Sequence, residues 1–315
     1  MARVLVTRRL PDGGIDPLIT GGHEIVQQPD DIPLTHAQLC AAVTDVDAVV
    51  CLLTDRVDDA VLAAGAPRLR VVANVAVGYD NVDVAAAAAR GVAVCNTPGV
   101  LDETTADLAF LLALAASRLA STAEADLRSG RWAGWGINQY LGRDVHGATL
   151  GLVGFGRIGR AVARRAAGFG MQVLHHTRHD TGLPGWQADL DRMLGECDIV
   201  SLHVPLTAET THLVDARRLA LMRPTAVLVN TARGPVVDEE ALAIALEDGR
   251  LFAAGLDVYE REPQVHPRLL AAPRTVLLPH VGSASQATRT RMARLACEGA
   301  LAVLAGETPP NLVIP

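Results

Sequence analysis

Three polar residues stand where apolar runs stop in the second half of the chain. Arg233 follows Val227-Leu228-Val229-Asn230-Thr231-Ala232, Glu262 closely follows Leu256-Asp257-Val258-Tyr259, and His280 follows Val276-Leu277-Leu278-Pro279. A guanidinium makes a planar two-pronged contact with a carboxylate. An imidazole changes charge near neutral pH and can hand a proton to a carbonyl oxygen. A carboxylate at the far ring nitrogen orients that imidazole and favours its protonated form. Together these are the requirements for reducing a 2-keto acid, provided a hydride source binds beside them. Two competitors remain open on spacing alone. His203 also ends an apolar run, Ser201-Leu202-His203-Val204-Pro205, and Glu260 lies two residues before Glu262.

The hydride source has its own signature. Gly154-Phe155-Gly156-Arg157-Ile158-Gly159 follows the apolar run Leu150-Gly151-Leu152-Val153 and opens a helical stretch, Arg157 to Phe169, that stops at Gly170. In a dinucleotide-binding turn, the first glycine makes the tight bend and the second admits a pyrophosphate. The third lets helix and strand pack closely. The phosphates then lie at the positive end of the helix. An NAD site usually carries an Asp or Glu about 20 residues past the first glycine, for the ribose hydroxyls. Here Thr177, Arg178 and His179 stand at the end of the second strand, with no carboxylate before Asp180. Arg178 can pair with a 2′-phosphate and Thr177 can donate to it, so the sequence favours NADP, with NAD as the alternative.

These groups must be carried by strands and helices in alternation. Candidate strands are Val4–Val6, Glu24–Val26, Ala48–Leu53, Leu69–Val75 and Val92–Val94, then Thr149–Val153, Gln172–His175, Asp198–Val204, Ala226–Asn230, Ala254–Val258 and Val276–Pro279. Helical stretches such as Ala60–Ala64 and Val82–Arg90 lie between them, and Gln286–Ala305 closes the chain. This order predicts parallel sheets with right-handed crossovers, and the last six strands match a full dinucleotide-binding domain. A long helix over Ala106–Ala120, capped by Asp102, Thr104 or Thr105, is apolar nearly all round and is expected to be buried on several sides, against a second domain or a second subunit.

Composition removes many other chemistries. The chain has 315 residues and a formal charge of −7, and all 28 of its basic residues are Arg. Without a lysine there is no Schiff-base chemistry and no P-loop of the usual type. An acidic chain lacking a basic run does not suit nucleic acid. Five scattered cysteines, never in a CxxC spacing, read as reduced thiols rather than a disulfide frame or a metal site. The longest apolar run, Leu108–Ala116, is far short of a bilayer span. No signal peptide, membrane association or metal is expected, and the cytoplasm is the expected compartment.

The four segments Gly154–Gly159, Asn230-Thr231-Ala232-Arg233-Gly234, Leu256–Pro263 and Leu278-Pro279-His280-Val281-Gly282-Ser283 resemble, in order and spacing, the D-isomer-specific 2-hydroxyacid dehydrogenases. The likeness runs from about Cys51 to the end of the chain. It implies that Arg233, Glu262 and His280 are catalytic, which would set aside Glu260 and His203. By the same likeness, Asp257 holds the nicotinamide carboxamide, Val204 and Pro205 flank the adenosine, and Thr105, Thr231, Ala232 and Gly282 lie along the cofactor. Val75-Ala76-Val77-Gly78-Tyr79-Asp80 resembles a substrate loop whose N–H groups at Val77 and Gly78 share the substrate carboxylate with Arg233.

Within the family, glyoxylate/hydroxypyruvate reductases are the nearest in detail. Cys51-Leu52-Leu53-Thr54-Asp55 resembles their pocket strand, giving Leu53 a place against substrate. Trp132-Ala133-Gly134-Trp135 resembles a segment that lends a Trp to a partner's pocket across a homodimer. The resemblance implies an α/β chain of two domains. Residues 1–98 and 286–315 would form a flavodoxin-like substrate domain, and 99–285 an inserted Rossmann-type NAD(P)-binding domain, with catalysis in the cleft between them. It also implies NADPH-dependent reduction of a small 2-keto acid, with no added regulatory domain. The rivals are a dehydrogenase of the same frame acting on another 2-hydroxy acid or on phosphite, and a nucleotide-sensing binding protein of the corepressor kind.

Overall fold

Short runs rich in small, β-branched and leucine residues build most of the strands, and several interior strands are buried on both faces. Ala48–Cys51, Val71–Asn74, Ile199–Leu202, Val227–Asn230 and Ala253–Leu256 have no exposed position. Such strands are stable only in parallel sheets covered by helices on both sides. The computed structural model describes residues 1–314. It divides into two units, Met1–Leu101 with Ser283–Pro315, and Asp102–Gly282.

The first unit carries β1 (Arg3–Val6), α1 (Asp16–Thr20), β2 (Glu24–Gln27), α2 (His36–Ala42), β3 (Ala48–Cys51), α3 (Asp59–Gly65), β4 (Val71–Asn74), α4 (Val84–Ala89) and β5 (Ala93–Cys95). The second carries α5 (Asp102–Ser117), α6 (Ala120–Arg128), β6 (Thr149–Val153), α7 (Arg157–Ala167), β7 (Gln172–His176), α8 (Leu190–Glu196), β8 (Ile199–Leu202), α9 (Ala216–Leu221), β9 (Val227–Asn230), α10 (Glu239–Glu247), β10 (Ala253–Leu256), α11 (Pro267–Ala271) and β11 (Thr275–Leu277). The last helix, α12 (Gln286–Ala305), returns to the first unit and packs on β3, β4 and α1. Many of the helix starts are set by side chains. Asp58, Asp83, Asp189, Asp215, Asp238 and Ser285 each accept from an N–H three residues on, and Thr35 with Gln38 forms a capping box.

In the first unit the parallel order is β2-β1-β3-β4-β5, the flavodoxin-like order, with its topological switch point between β1 and β3. In the second unit the order is β11-β10-β9-β8-β6-β7, all parallel, and the switch point lies between β6 and β8. This is a Rossmann-type sheet that departs from the usual 3-2-1-4-5-6 order. Among the described residues, only a single-residue bridge, His175 to Trp186, lies beyond β7 where a further strand would pair.

The long apolar helix differs from expectation. α5 begins at Asp102 and ends at Ser117, Leu119 adopts a left-handed φ of 55°, and α6 turns away from there. A leucine held at positive φ cannot continue a helix. Burial of α5 is also one-sided. Ala106, Ala109, Leu112, Ala113 and Ala116 are in the core while Leu111 is half exposed, so this helix has a face uncovered by its own chain. Gly255 of β10 receives that core face, since a Cβ there would lie 2.9 Å from the Leu112 Cβ.

Candidate active site

The glycine-rich turn leaves β6 at the switch point of the second unit. Gly154 has φ +94°, and a Cβ there would lie 2.5 Å from the His203 carbonyl oxygen. A Cβ on Gly159 would lie 2.4 Å from the Gly154 carbonyl oxygen, so the first turn of α7 rests directly on the bend. Gly156 is the opposite case. Nothing lies within 4 Å of a Cβ built there, and it begins α7 without a side-chain cap. The first N–H groups of α7, from Arg157 and Ile158 onward, are thus left to a ligand. Arg157 is exposed and pairs with Asp102 at 3.3 Å. Phe155 stacks on His175 with ring centroids 3.8 Å apart, closing one side of the turn. The Thr231 hydroxyl, at the end of β9, is buried without a partner among the described residues. An open cradle, an uncapped helix start and an orphaned hydroxyl fit a dinucleotide.

Residues 177–179 follow β7. The Thr177 hydroxyl is already engaged, donating to the His179 carbonyl at 2.7 Å and accepting from Trp186 Nε1 at 3.1 Å. Its expected donation to a phosphate therefore requires that internal bond to be exchanged. Arg178 and His179 are exposed, and the positive charge of Arg178 helps hold Glu209 below the usual carboxylate range, behind the Thr207 hydrogen bond. Val204 packs against the core, and Pro205 is exposed beside it.

Arg233, Glu262 and His280 all lie in the second unit, beyond the carboxyl ends of β9, β10 and β11. His280 Nδ1 and Glu262 Oε2 are 2.8 Å apart, each side chain about a quarter exposed, at 26% and 29%. Burial pushes Glu262 up. The hydrogen bond and charge of His280, the Tyr259 N–H at 3.0 Å and the Arg233 charge outweigh it, so the carboxyl sits below its usual range. The two competitors are engaged elsewhere. Glu260 accepts from the Glu239 N–H at 2.9 Å and pairs with His212 at 3.2 Å. His203 Nε2 meets the Ser201 hydroxyl at 2.9 Å, and burial drives its pKa down to about 4.

The backbone around the trio is fixed by residues that the sequence did not single out. Asn230, buried at the end of β9, donates to the Arg233 carbonyl at 2.9 Å and accepts from the Ala232 N–H at 3.0 Å. Gly234 follows, so close to the next loop that a Cβ would overlap the Tyr259 backbone. Glu239, also buried, accepts from the Glu260 N–H at 2.7 Å, reciprocating the bond that Glu260 accepts. The Tyr259 hydroxyl donates to the Leu278 carbonyl at 3.0 Å, tying the Glu262 loop to the strand end before His280. The recoverable signal is a buried polar residue closing an apolar strand, as Asn230 does.

His280 has a left-handed φ of 54°, and its N–H donates to the Asp257 carbonyl at 2.9 Å. The Asp257 carboxylate accepts from Val281 and Gly282 at 2.7 and 2.8 Å. Asp257 is 1% exposed, and burial raises its pKa despite those two donors. Its observed work is to wind residues 280–282. Thr105, nearly buried on α5, lies beside Gly282.

In the first unit, Leu53 is half-buried just after β3, and Val77 and Gly78 are half-buried after β4. Trp135 is 81% exposed. No group of His, Cys, Asp and Glu able to hold a metal occurs among the described residues. No single helix there is long and apolar enough to cross a membrane.

Residues 110–282 match the family model described as the D-isomer specific 2-hydroxyacid dehydrogenase, NAD binding domain. Over 99% of its length the chain is 49% identical to a glyoxylate reductase of Korarchaeum cryptofilum and 46% identical to one of Thermococcus onnurineus, covering 95% of each. A solved Thermus thermophilus protein superposes with a TM-score of 0.94 at 46% identity, over 99% of this chain and all of that one. The NADPH-dependent glyoxylate/hydroxypyruvate reductase of Sinorhizobium meliloti, solved with NADP and malonate, gives 0.88 at 38% identity, over 99% and 96% of the two chains. With a Rossmann-type sheet, an open glycine cradle and full-length likeness of this order, the chain belongs to the D-isomer specific 2-hydroxyacid dehydrogenases, NAD(P)-dependent oxidoreductases.

Proposed function

We propose that the protein reduces a small 2-keto acid, glyoxylate or hydroxypyruvate, to the 2-hydroxy acid, with NADPH preferred over NADH. The observation that carries this reading is the 2.8 Å pair of His280 and Glu262, with the Arg233 charge acting on the same carboxylate. Gly154, Gly156 and Gly159, the start of α7, Thr231 and Asp257 would hold the coenzyme, whose reduced nicotinamide supplies the hydride. Arg233 neutralises the substrate carboxylate and polarises the neighbouring carbonyl. In the first unit, Val77 and Gly78 would supply backbone donors to a carboxylate, and Leu53 would line a substrate pocket.

His280 carries the proton. With Nδ1 facing Glu262, Nε2 is the nitrogen left to protonate the carbonyl oxygen as the hydride reaches its carbon. Ionised Glu262 stabilises the imidazolium before transfer and fixes the tautomer after it. Exposed Arg178 and His179, at a strand end with no carboxylate before Asp180, support a 2′-phosphate. The uncovered face of α5 and the exposed Trp135 support a homodimer in which that Trp serves the partner's pocket. Five unpaired cysteines support a reducing, cytoplasmic compartment.

The test is loss of reduced-nicotinamide absorbance with glyoxylate, hydroxypyruvate and pyruvate in parallel, each with NADPH and NADH. The expected result is fastest turnover with glyoxylate or hydroxypyruvate and NADPH. Failure to turn over any 2-keto acid would overturn the reading.

A further inference from the structure

Three successive carbonyls in the first unit are held from behind. The Thr97 N–H donates to the Ala76 carbonyl at 2.8 Å, Asn96 Nδ2 to the Val77 carbonyl at 2.8 Å, and Asn74 Nδ2 to the Gly78 carbonyl at 2.9 Å. A trans peptide is planar, with the N–H of the following residue pointing opposite to the carbonyl. These contacts therefore turn the N–H groups of Val77, Gly78 and Tyr79 away from the residues that hold the loop. Successive backbone N–H groups presented in this way form an anion site.

The scaffold is braced where flexibility would spoil the aim. Asn74 ends β4 and is fully buried. Its amide also meets Asn81 Oδ1 at 3.0 Å, and Asn81 Nδ2 donates to the Leu52 and Asp55 carbonyls at 3.1 and 3.0 Å. The far side of that turn is fixed in its own right. Asp55 accepts from the Thr7 hydroxyl at 2.6 Å and the Leu52 N–H at 2.8 Å. One pair of side-chain amides thus joins the 76–79 loop to the turn bearing Leu53, at the switch point between β1 and β3.

We propose that Asn96 and Asn74 are positioning residues for the carboxylate of a small 2-keto acid, Asn96 aiming the Gly78 N–H and Asn74 aiming the Tyr79 N–H as a third backbone donor. The inference rests on the function proposed above. It assigns substrate affinity to two side chains that need not touch the substrate.

The test compares Asn96→Ala and Asn74→Ser with the unaltered enzyme. Each is expected to raise KM for glyoxylate about tenfold, the equivalent of one misaimed hydrogen bond to a charged group. Inhibition by oxalate should weaken by the same factor, while kcat and KM for NADPH stay within twofold. A merely structural role would instead lower kcat, Tm and coenzyme affinity together. Should buried Asn74→Ser fail to fold, half-buried Asn96→Ala carries the test alone. An Asn96→Ala enzyme with unchanged Tm and unchanged KM and oxalate inhibition overturns the inference. If the unaltered enzyme turned over no 2-keto acid, the function itself would fall. Oxalate binding by calorimetry, retained or lost in Asn96→Ala, would still decide whether Asn96 aims an anion site.

Discussion

Replacing Glu262 with Gln removes one charge while keeping an oxygen that can face His280 Nδ1. The contact is 2.8 Å long and both side chains are about a quarter exposed, so solvent screens it only in part. A hydrogen bond to a charged group of this kind contributes about 1.5–3 kcal/mol. Losing that charge removes stabilisation of about this size from the imidazolium. Reduction needs the imidazolium, so kcat/KM should fall as pH rises through loss of that proton. In Glu262→Gln the fall should begin at lower pH, costing about 10- to 100-fold in rate on the alkaline limb. Oxidation of the 2-hydroxy acid, which needs the neutral ring, should respond in the opposite sense. The assay is a pH series of initial rates with glyoxylate and saturating NADPH, alongside coenzyme affinity. Glu260→Gln is the control, since Glu260 is bonded to Glu239 and His212 instead. A Glu262→Gln profile that overlies the unaltered one, or moves to higher pH, would refute the pairing as the source of the proton.

Two of the three glycines of the coenzyme turn should separate folding from binding. Gly159→Ala, whose Cβ meets backbone at 2.4 Å, should lower stability by about 1–3 kcal/mol. Gly156→Ala, with open space and φ −76°, should leave Tm unchanged and weaken NADPH binding at least tenfold by fluorescence titration. Arg178→Ala should reduce the NADPH-to-NADH preference in kcat/KM by about 10- to 100-fold, the loss of one charge-assisted contact; an unchanged ratio would place the 2′-phosphate elsewhere. His203 supplies a pH test. Its pKa is about 4 in the fold against 6.5 ordinarily, so the unfolded chain takes up the proton first as pH falls. Stability should therefore be lost from about pH 6.5 downward, by about 2 kcal/mol at pH 5. The loss should be smaller by that amount in His203→Gln, as read from urea midpoints at pH 7.5 and 5.

The parts of this molecule legible in its sequence are those governed by local rules. Buried parallel strands show as unbroken apolar runs, and the final helix, with Ser285 ahead of it, falls at Gln286–Ala305 in both readings. The glycine turn shows through the three separate constraints on its glycines. What escaped depends on contacts distant in sequence. The break at Leu119 is set by a left-handed leucine, a conformation that no propensity favours. The short outer edge of the coenzyme sheet, ending in one bridge at Trp186, could not be inferred from six strand-like runs. The choice between Glu260 and Glu262 is likewise geometric, because Glu239, 21 residues before Glu260, occupies one of them. Asn74 and Asn230 share a pattern that local rules undervalue: an apolar strand ending in a buried amide that bonds the loop beyond it.

The left-handed turn at His280 has a further consequence. Non-glycine residues reach that conformation at a cost of roughly 1–2 kcal/mol, and here three consecutive N–H groups, of residues 280–282, close on Asp257 to hold it. The direction in which the ring leaves the backbone is thus settled once, when the chain folds, instead of being searched for at every turnover. A β-branched residue at 280 would disrupt the winding itself, whereas Asn would preserve the bend and delete only the imidazole. That makes Asn the substitution that separates the shape of this corner from its chemistry.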